Sequence, residues 1–274
     1  MSTPALPDQQ SIEIGGRTLA WREAGRGNPL VLVHGIGGYS GSWARQFEAF
    51  ANDFRVIAWD APGYGGSTGF SSPHPRADDY SSALASLLEA LNVRAPHLVG
   101  HSLGSIMIAS LCKAHNVSPR SMTLLQPVLG AGHLPEDERK KIHDARANDM
   151  RTLGPREFAL QRGRTILSKS ASPDVVAEAT EVMVKVPQDG YLAAWDMMCG
   201  SQLMPLLDPK HPTMIVCGSD DPVCPPATGK SIADKMPGAE LHVLEGVGHY
   251  AAIEARDRFN TLLRTFISSH AKSR

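Results

Sequence analysis

The chain has 274 residues, of which 42% are hydrophobic and 20% charged, a composition that argues for a packed core and against disorder. Lysine and arginine number 27 and aspartate and glutamate 28, for a net charge of −1. The chain as a whole therefore has no electrostatic reason to seek nucleic acid or an anionic membrane. No run approaches the roughly 18 apolar residues of a membrane span, and the opening MSTPALPDQQS has neither the basic segment nor the apolar stretch of a secretory signal. The four cysteines, Cys112, Cys199, Cys217 and Cys224, form no CxxC pair and no Cys/His cluster with zinc spacing. No metal site is expected, and the thiols read as small buried hydrophobes in a reducing, cytoplasmic setting.

In chain order, residues 11–14 and 17–24 flank Gly15-Gly16 and predict a β-hairpin. Short runs rich in Val, Ile and Leu follow at 30–33, 56–59, 97–99, 122–125, 213–217 and 240–244. Each ends near Gly, Pro, Asp or His, as expected of strands buried on both faces of a parallel sheet. Helical spacing lies between several of them: Leu84, Leu87, Leu88 and Leu91 within 77–91, then 103–114 and 258–268. Alternating strand and helix implies an α/β fold, a mostly parallel central sheet flanked by helices. The alternation stops between about 130 and 208, where helical patterns at 142–153, 156–167, 174–186 and 191–199 occur without a convincing strand. The expected organisation is a core built from 1–129 and 209–274, with a helical cap, 130–208, inserted over the sheet as a lid.

The chemistry is concentrated in Gly100-His101-Ser102-Leu103-Gly104. This G-x-S-x-G follows a predicted strand and precedes a predicted helix, the context the motif requires. Ser102 at such a turn projects above the sheet, and Gly100 and Gly104 let strand and helix approach. The helix N-terminus aims free N–H groups at any oxyanion formed beside Ser102. Serine needs a base held by a carboxylate. The loop Gly218-Ser219-Asp220-Asp221 and the loop Gly246-Val247-Gly248-His249-Tyr250, each after a strand, supply both in the chain order Ser, Asp, His.

This constellation resembles the α/β-hydrolase family along nearly the whole chain. The motifs that carry the resemblance are His34-Gly35-Ile36-Gly37-Gly38, Asp60-Ala61-Pro62-Gly63-Tyr64-Gly65-Gly66-Ser67, the serine turn, Gly218 to Asp221, and Gly248-His249-Tyr250-Ala251-Ala252-Ile253-Glu254. The resemblance implies Ser102, His249 and Asp221 as a catalytic triad, with Asp221 preferred over Asp220 because the family's acid stands three after the glycine. It implies an oxyanion hole from the backbone N–H groups of Ile36 and Leu103, makes His34 a loop former and gives Asp60 a turn-forming role. His101 is expected to pack beside the serine turn. The phrase Pro187-Gln188-Asp189-Gly190-Tyr191, with Pro212-Thr213 and Pro225-Pro226, resembles the 3-oxoadipate enol-lactonase-like and carboxylesterase branch. Ala255-Arg256 departs from it where a proline is common.

Serine at the turn argues against the haloalkane dehalogenase and epoxide hydrolase branches, which use aspartate there. The expectation is a serine hydrolase acting on a small, largely apolar ester or lactone through an acyl-enzyme, with no cofactor, nucleic acid or membrane partner. Gly37, Trp195, Met198 and Tyr250 are candidate substrate contacts. A C–C bond hydrolase or lyase with the same triad is the alternative, although Gly37-Gly38-Tyr39-Ser40 and Tyr250 depart from that branch. A non-catalytic small-ligand receptor is the third reading. The sequence is silent on oligomeric state.

Overall fold

The computed structural model describes residues 4–271. Eight strands form one sheet: β1 (Gln9–Ile14), β2 (Arg17–Ala24), β3 (Pro29–Val33), β4 (Arg55–Asp60), β5 (His97–His101), β6 (Ser121–Leu125), β7 (Thr213–Gly218) and β8 (Glu240–Leu244). Their spatial order is β1-β2-β4-β3-β5-β6-β7-β8. β1 and β2 form the expected hairpin, with Gly15 and Gly16 both at positive φ, the conformation that a two-residue turn of matching twist demands. β2 is antiparallel to β4, and all pairings from β4 across to β8 are parallel.

The strand period of two divides the core into two layers. Val31, Ile57, Leu98, Leu124 and Ile215 point to one face. There they meet α2 (Ala77–Ala90) and α3 (Gly104–Ala114) through residues such as Leu84, Leu87 and Ile106. Leu30, Leu32, Val56, Val99 and Val216 point to the other. That face is covered by α1 (Ala44–Phe50), the short α8 (Ala251–Glu254) and α9 (Arg256–Ser269), through Phe47, Phe50, Ala252, Phe259, Leu263 and Phe266. One expectation fails: β8 is not buried on both faces. It is an edge strand with one neighbour, and Leu241 and Val243 are exposed. Two core helices had no sequence signal. α1 spans seven residues, and α7 (Pro226–Lys235) buries only Gly229 and Ile232.

Between β6 and β7 the chain leaves the sheet for α4 (Glu136–Thr165), α5 (Pro173–Val184) and α6 (Gln188–Gly200), with no strand among these described residues. The two helices expected at 142–153 and 156–167 are the arms of α4, which bends at Gly154 (φ 71) just before Pro155. Pro155 removes a backbone donor and Gly154 accepts a left-handed conformation, so the bend is built into the sequence. Ser172 caps α5, accepting from the Val175 N–H at 3.4 Å. The inserted helices dock on the core through a third apolar cluster in which Ile166, Leu167, Val182 and Met183 meet Tyr39, Tyr250 and Ile253. Gly190, in the first turn of α6, abuts the Gly63 backbone so closely that a Cβ on either would collide. The glycines of two separate sequence motifs thus form one contact between insertion and core.

Candidate active site

β5 ends at His101 and α3 starts at Gly104, so the chain reverses within two residues. Ser102 accordingly sits at φ 52, in the sparsely allowed left-handed region where a non-glycine residue is held by its surroundings. A Cβ on Gly100 would lie 2.5 Å from the Gly104 carbonyl oxygen, and one on Gly104 would run into the Val33 carbonyl. Only glycine fits at both positions.

Three strand ends then converge. Ser102 Oγ donates to His249 Nε2 at 3.0 Å, and His249 Nδ1 donates to Asp221 Oδ2 at 2.8 Å. All three residues are buried. The second oxygen, Asp221 Oδ1, accepts from the backbone N–H groups of Val223 and Cys224, both at 2.8 Å. With this many donors the carboxylate has little freedom to turn away. Asp220 is exposed and its carboxylate accepts from Ser219 Oγ instead.

The loop that carries His249 is tied on every side. The His249 N–H donates to the Ile166 carbonyl at 2.6 Å, and its own carbonyl accepts from His101 Nε2 at 2.8 Å. Gly248 donates to Glu254 Oε1 at 3.0 Å, and the same carboxylate accepts from the Ser168 N–H at 3.1 Å, joining the insertion to the His249 loop. Gln126, the residue after β6, donates to the Gly248 carbonyl and accepts from the Ala251 N–H. Gln126 is fully buried at φ 49 and has no place in the motifs read from the sequence. A polar residue closing an apolar strand run was its one signal.

His101 packs beside the serine turn as expected, stacked on the Tyr250 ring with centroids 4.9 Å apart. Burial, reinforced by the neighbouring His249, pushes its pKa down to about 3, so it is neutral and its Nε2 carries the proton it donates. His34 uses both ring nitrogens on backbone: Nδ1 donates to the Gly35 carbonyl and Nε2 accepts from the Ala61 N–H. Burial lowers its pKa as well. Asp60 accepts from the Ser40 N–H at 2.7 Å and from Gln9, a loop-shaping arrangement. The amides of Ile36 and Leu103 flank the serine, and neither donates to a protein acceptor among the described residues.

Ser102 and His249 open into a cavity of about 360 Å³. Gly37, Trp195, Met198 and Tyr250 all line it, while Met197 is turned into the core. Among the lining residues that were not foreseen, two are charged, Arg146 and Arg162 from the two arms of α4. They add two cationic side chains to a lining that is otherwise mostly apolar. Arg146 Nη1 donates to the Tyr191 hydroxyl at 3.3 Å, and its guanidinium carbon lies 5.1 Å from the Trp195 ring centroid. Burial, followed by the like charge of Arg146, lowers the pKa of Arg162. Among the described residues no group of three or more His, Cys, Asp or Glu is placed to hold a metal, and no helix is long and apolar enough to cross a membrane. The four cysteines are buried and unbridged.

Residues 30–262 match the family model described as the alpha/beta hydrolase family. Among curated proteins, the chain is 30% identical to the dihydrolipoyllysine-residue acetyltransferase component of the acetoin cleaving system of Pseudomonas putida, over 96% of this chain and 70% of that protein. It is 27% identical to a 2-hydroxy-6-oxononadienedioate/2-hydroxy-6-oxononatrienedioate hydrolase of Burkholderia vietnamiensis, over 90% of each. Among solved structures, the enol-lactonase of Burkholderia xenovorans LB400 superposes with a TM-score of 0.82 at 22% identity, over 94% of this chain and all (100%) of that one. At that identity the likeness speaks for the fold.

Proposed function

The chain belongs to the alpha/beta hydrolase family, and from that premise we propose that it is a serine hydrolase that cleaves a carboxylic ester or lactone through an acyl-enzyme. The observation that carries the reading is the unbroken chain of hydrogen bonds from Ser102 Oγ through His249 to Asp221. Ser102 attacks the carbonyl carbon while His249 Nε2 takes its proton as general base. Asp221 fixes the ring so that Nε2 faces the serine, and stabilises the imidazolium that forms. The N–H groups of Ile36 and Leu103 stabilise the developing oxyanion, an interaction worth about 3 kcal/mol per donor at the transition state. His249 returns the proton to the departing alkoxide. It then activates a water that attacks the acyl-enzyme, regenerating Ser102 and releasing the acid.

A C–C bond hydrolase using the same residues is the second reading, favoured by the relationship to the Burkholderia vietnamiensis hydrolase. Both readings predict that Ser102→Ala abolishes activity, by about 10³-fold or more. Hydrolysis of p-nitrophenyl acetate and butyrate by the wild type but not by Ser102→Ala supports the ester reading. Equal rates in both proteins remove it. Turnover of a vinylogous 1,5-diketone with none of any ester transfers the proposal to the second reading.

A further inference from the structure

Arg146 and Arg162 line the same cavity as Ser102, and neither forms an ion pair among the described residues. Arg146 is held in place, hydrogen-bonded to the Tyr191 hydroxyl and packed over the faces of Trp195 and, at 5.9 Å, Phe158. Among the described residues the guanidinium of Arg162 finds no hydrogen-bond acceptor, although the residue is half-buried. Asp149 acts on Arg162 through space, but it lies on the exposed side of α4 and outside the cavity. Among the described residues that line the cavity none is a carboxylate, and Asp221, behind His249, is already occupied by that ring and two backbone donors. Two like charges facing one concave space repel each other and raise the local potential for an anion. Their planar forks match a carboxylate.

We propose that Arg146 and Arg162 form a carboxylate-binding site in the α4 wall of the cavity that holds Ser102, and that the substrate is an anionic ester or lactone carrying a free carboxylate in addition to the carbonyl attacked. The substrate assignment rests on Ser102 as nucleophile; the binding site does not. The cavity volume, near the lower end for small-ligand sites, restricts the substrate to a short molecule whose ends reach both walls. The hydrolysis product of such a substrate carries one more carboxylate than the substrate itself.

The test uses a matched pair, monoethyl adipate and diethyl adipate, which present the same ester with and without a negative charge. The wild type should favour the half-ester in kcat/KM by about 10-fold or more, chiefly through KM, as expected for one charge-assisted hydrogen-bonded pair. Arg162→Gln and Arg146→Gln should each collapse that ratio towards one. Arg162→Lys, which keeps the charge without the fork, should restore part of it. A wild-type ratio near one, or a ratio unchanged in the glutamine variants, overturns the proposal. A second measurement needs no turnover: calorimetric titration of Ser102→Ala with hexanoate and with hexanamide. Binding of hexanoate alone, lost when both arginines are also changed to glutamine, supports the site even where no ester is hydrolysed. Hexanoate that fails to bind, or binds equally after both changes, overturns it.

Discussion

On the sheet side of the cavity, Asp221 receives two backbone N–H groups and a ring N–H, and the His249 loop is fastened by Ile166, His101, Glu254 and Gln126. On the insertion side, the guanidinium of Arg162 has no hydrogen-bond partner among the described residues and shares its space with a second guanidinium. In the first wall the Ser102, His249 and Asp221 side chains are held in place without a ligand, as preorganised electrostatics requires: their dipoles need not reorient when charge develops. The second wall is incomplete, and a group that completes it gains more than it would in water. On the proposed reading, this contrast is the division of labour expected where a core supplies the reaction and an insertion supplies the choice of substrate.

The contrast can be broken most sharply at Asp221. Asp221→Asn should lower kcat by about 10⁴-fold on any substrate, because the ring loses the partner that sets its tautomer. A loss below about 10-fold in steady-state turnover would mean that the fastening of this wall is not catalytic. The next largest effect is on acid stability. His101 and His97 are buried, with pKa values pushed down to about 3 and about 4 from an ordinary 6.5. Between pH 6.5 and those values the unfolded chain binds the protons and the folded chain does not. Stability is therefore full above pH 6.5 and falls with acid, by on the order of 2 kcal/mol per ring at pH 5. Urea midpoints at pH 7 and pH 5 check this, and equal midpoints contradict it.

Gln126→Leu strands the Gly248 carbonyl and the Ala251 N–H, and should cost about 1–3 kcal/mol in urea unfolding, with kcat falling as the His249 loop loosens. Arg162→Gln should do the reverse. Relief of like-charge repulsion should leave stability unchanged or raise it by about 0.5 kcal/mol, the signature of a residue kept for function. A loss of more than 1 kcal/mol would place Arg162 with the structural residues and weaken the contrast between the walls.

The sheet-side wall was largely legible in the sequence because its requirements are local. A strand, a glycine, a serine and a helix must follow one another to make the turn at Ser102, and the acid and the histidine must each follow a strand. The family spacing further separated Asp221 from Asp220. What lay hidden depends on tertiary contact. Gln126 acts on residues more than 120 positions away. Arg146 and Arg162 stand sixteen positions apart in α4. On a straight helix that spacing puts them about 160° apart, on opposite faces. The bend at Gly154 lets both reach one cavity, and no periodicity argument places them together. β8 misled because an apolar run does not say whether a strand is central or at the edge.

The central claim, that Ser102 is the nucleophile made reactive by His249 and Asp221, is tested most directly by mapping the adduct of an alkyl fluorophosphonate by peptide mass spectrometry. The account predicts one stoichiometric adduct, on Ser102, formed far more slowly in Asp221→Asn. An adduct on another residue, or none from an enzyme that continues to hydrolyse esters, would contradict it.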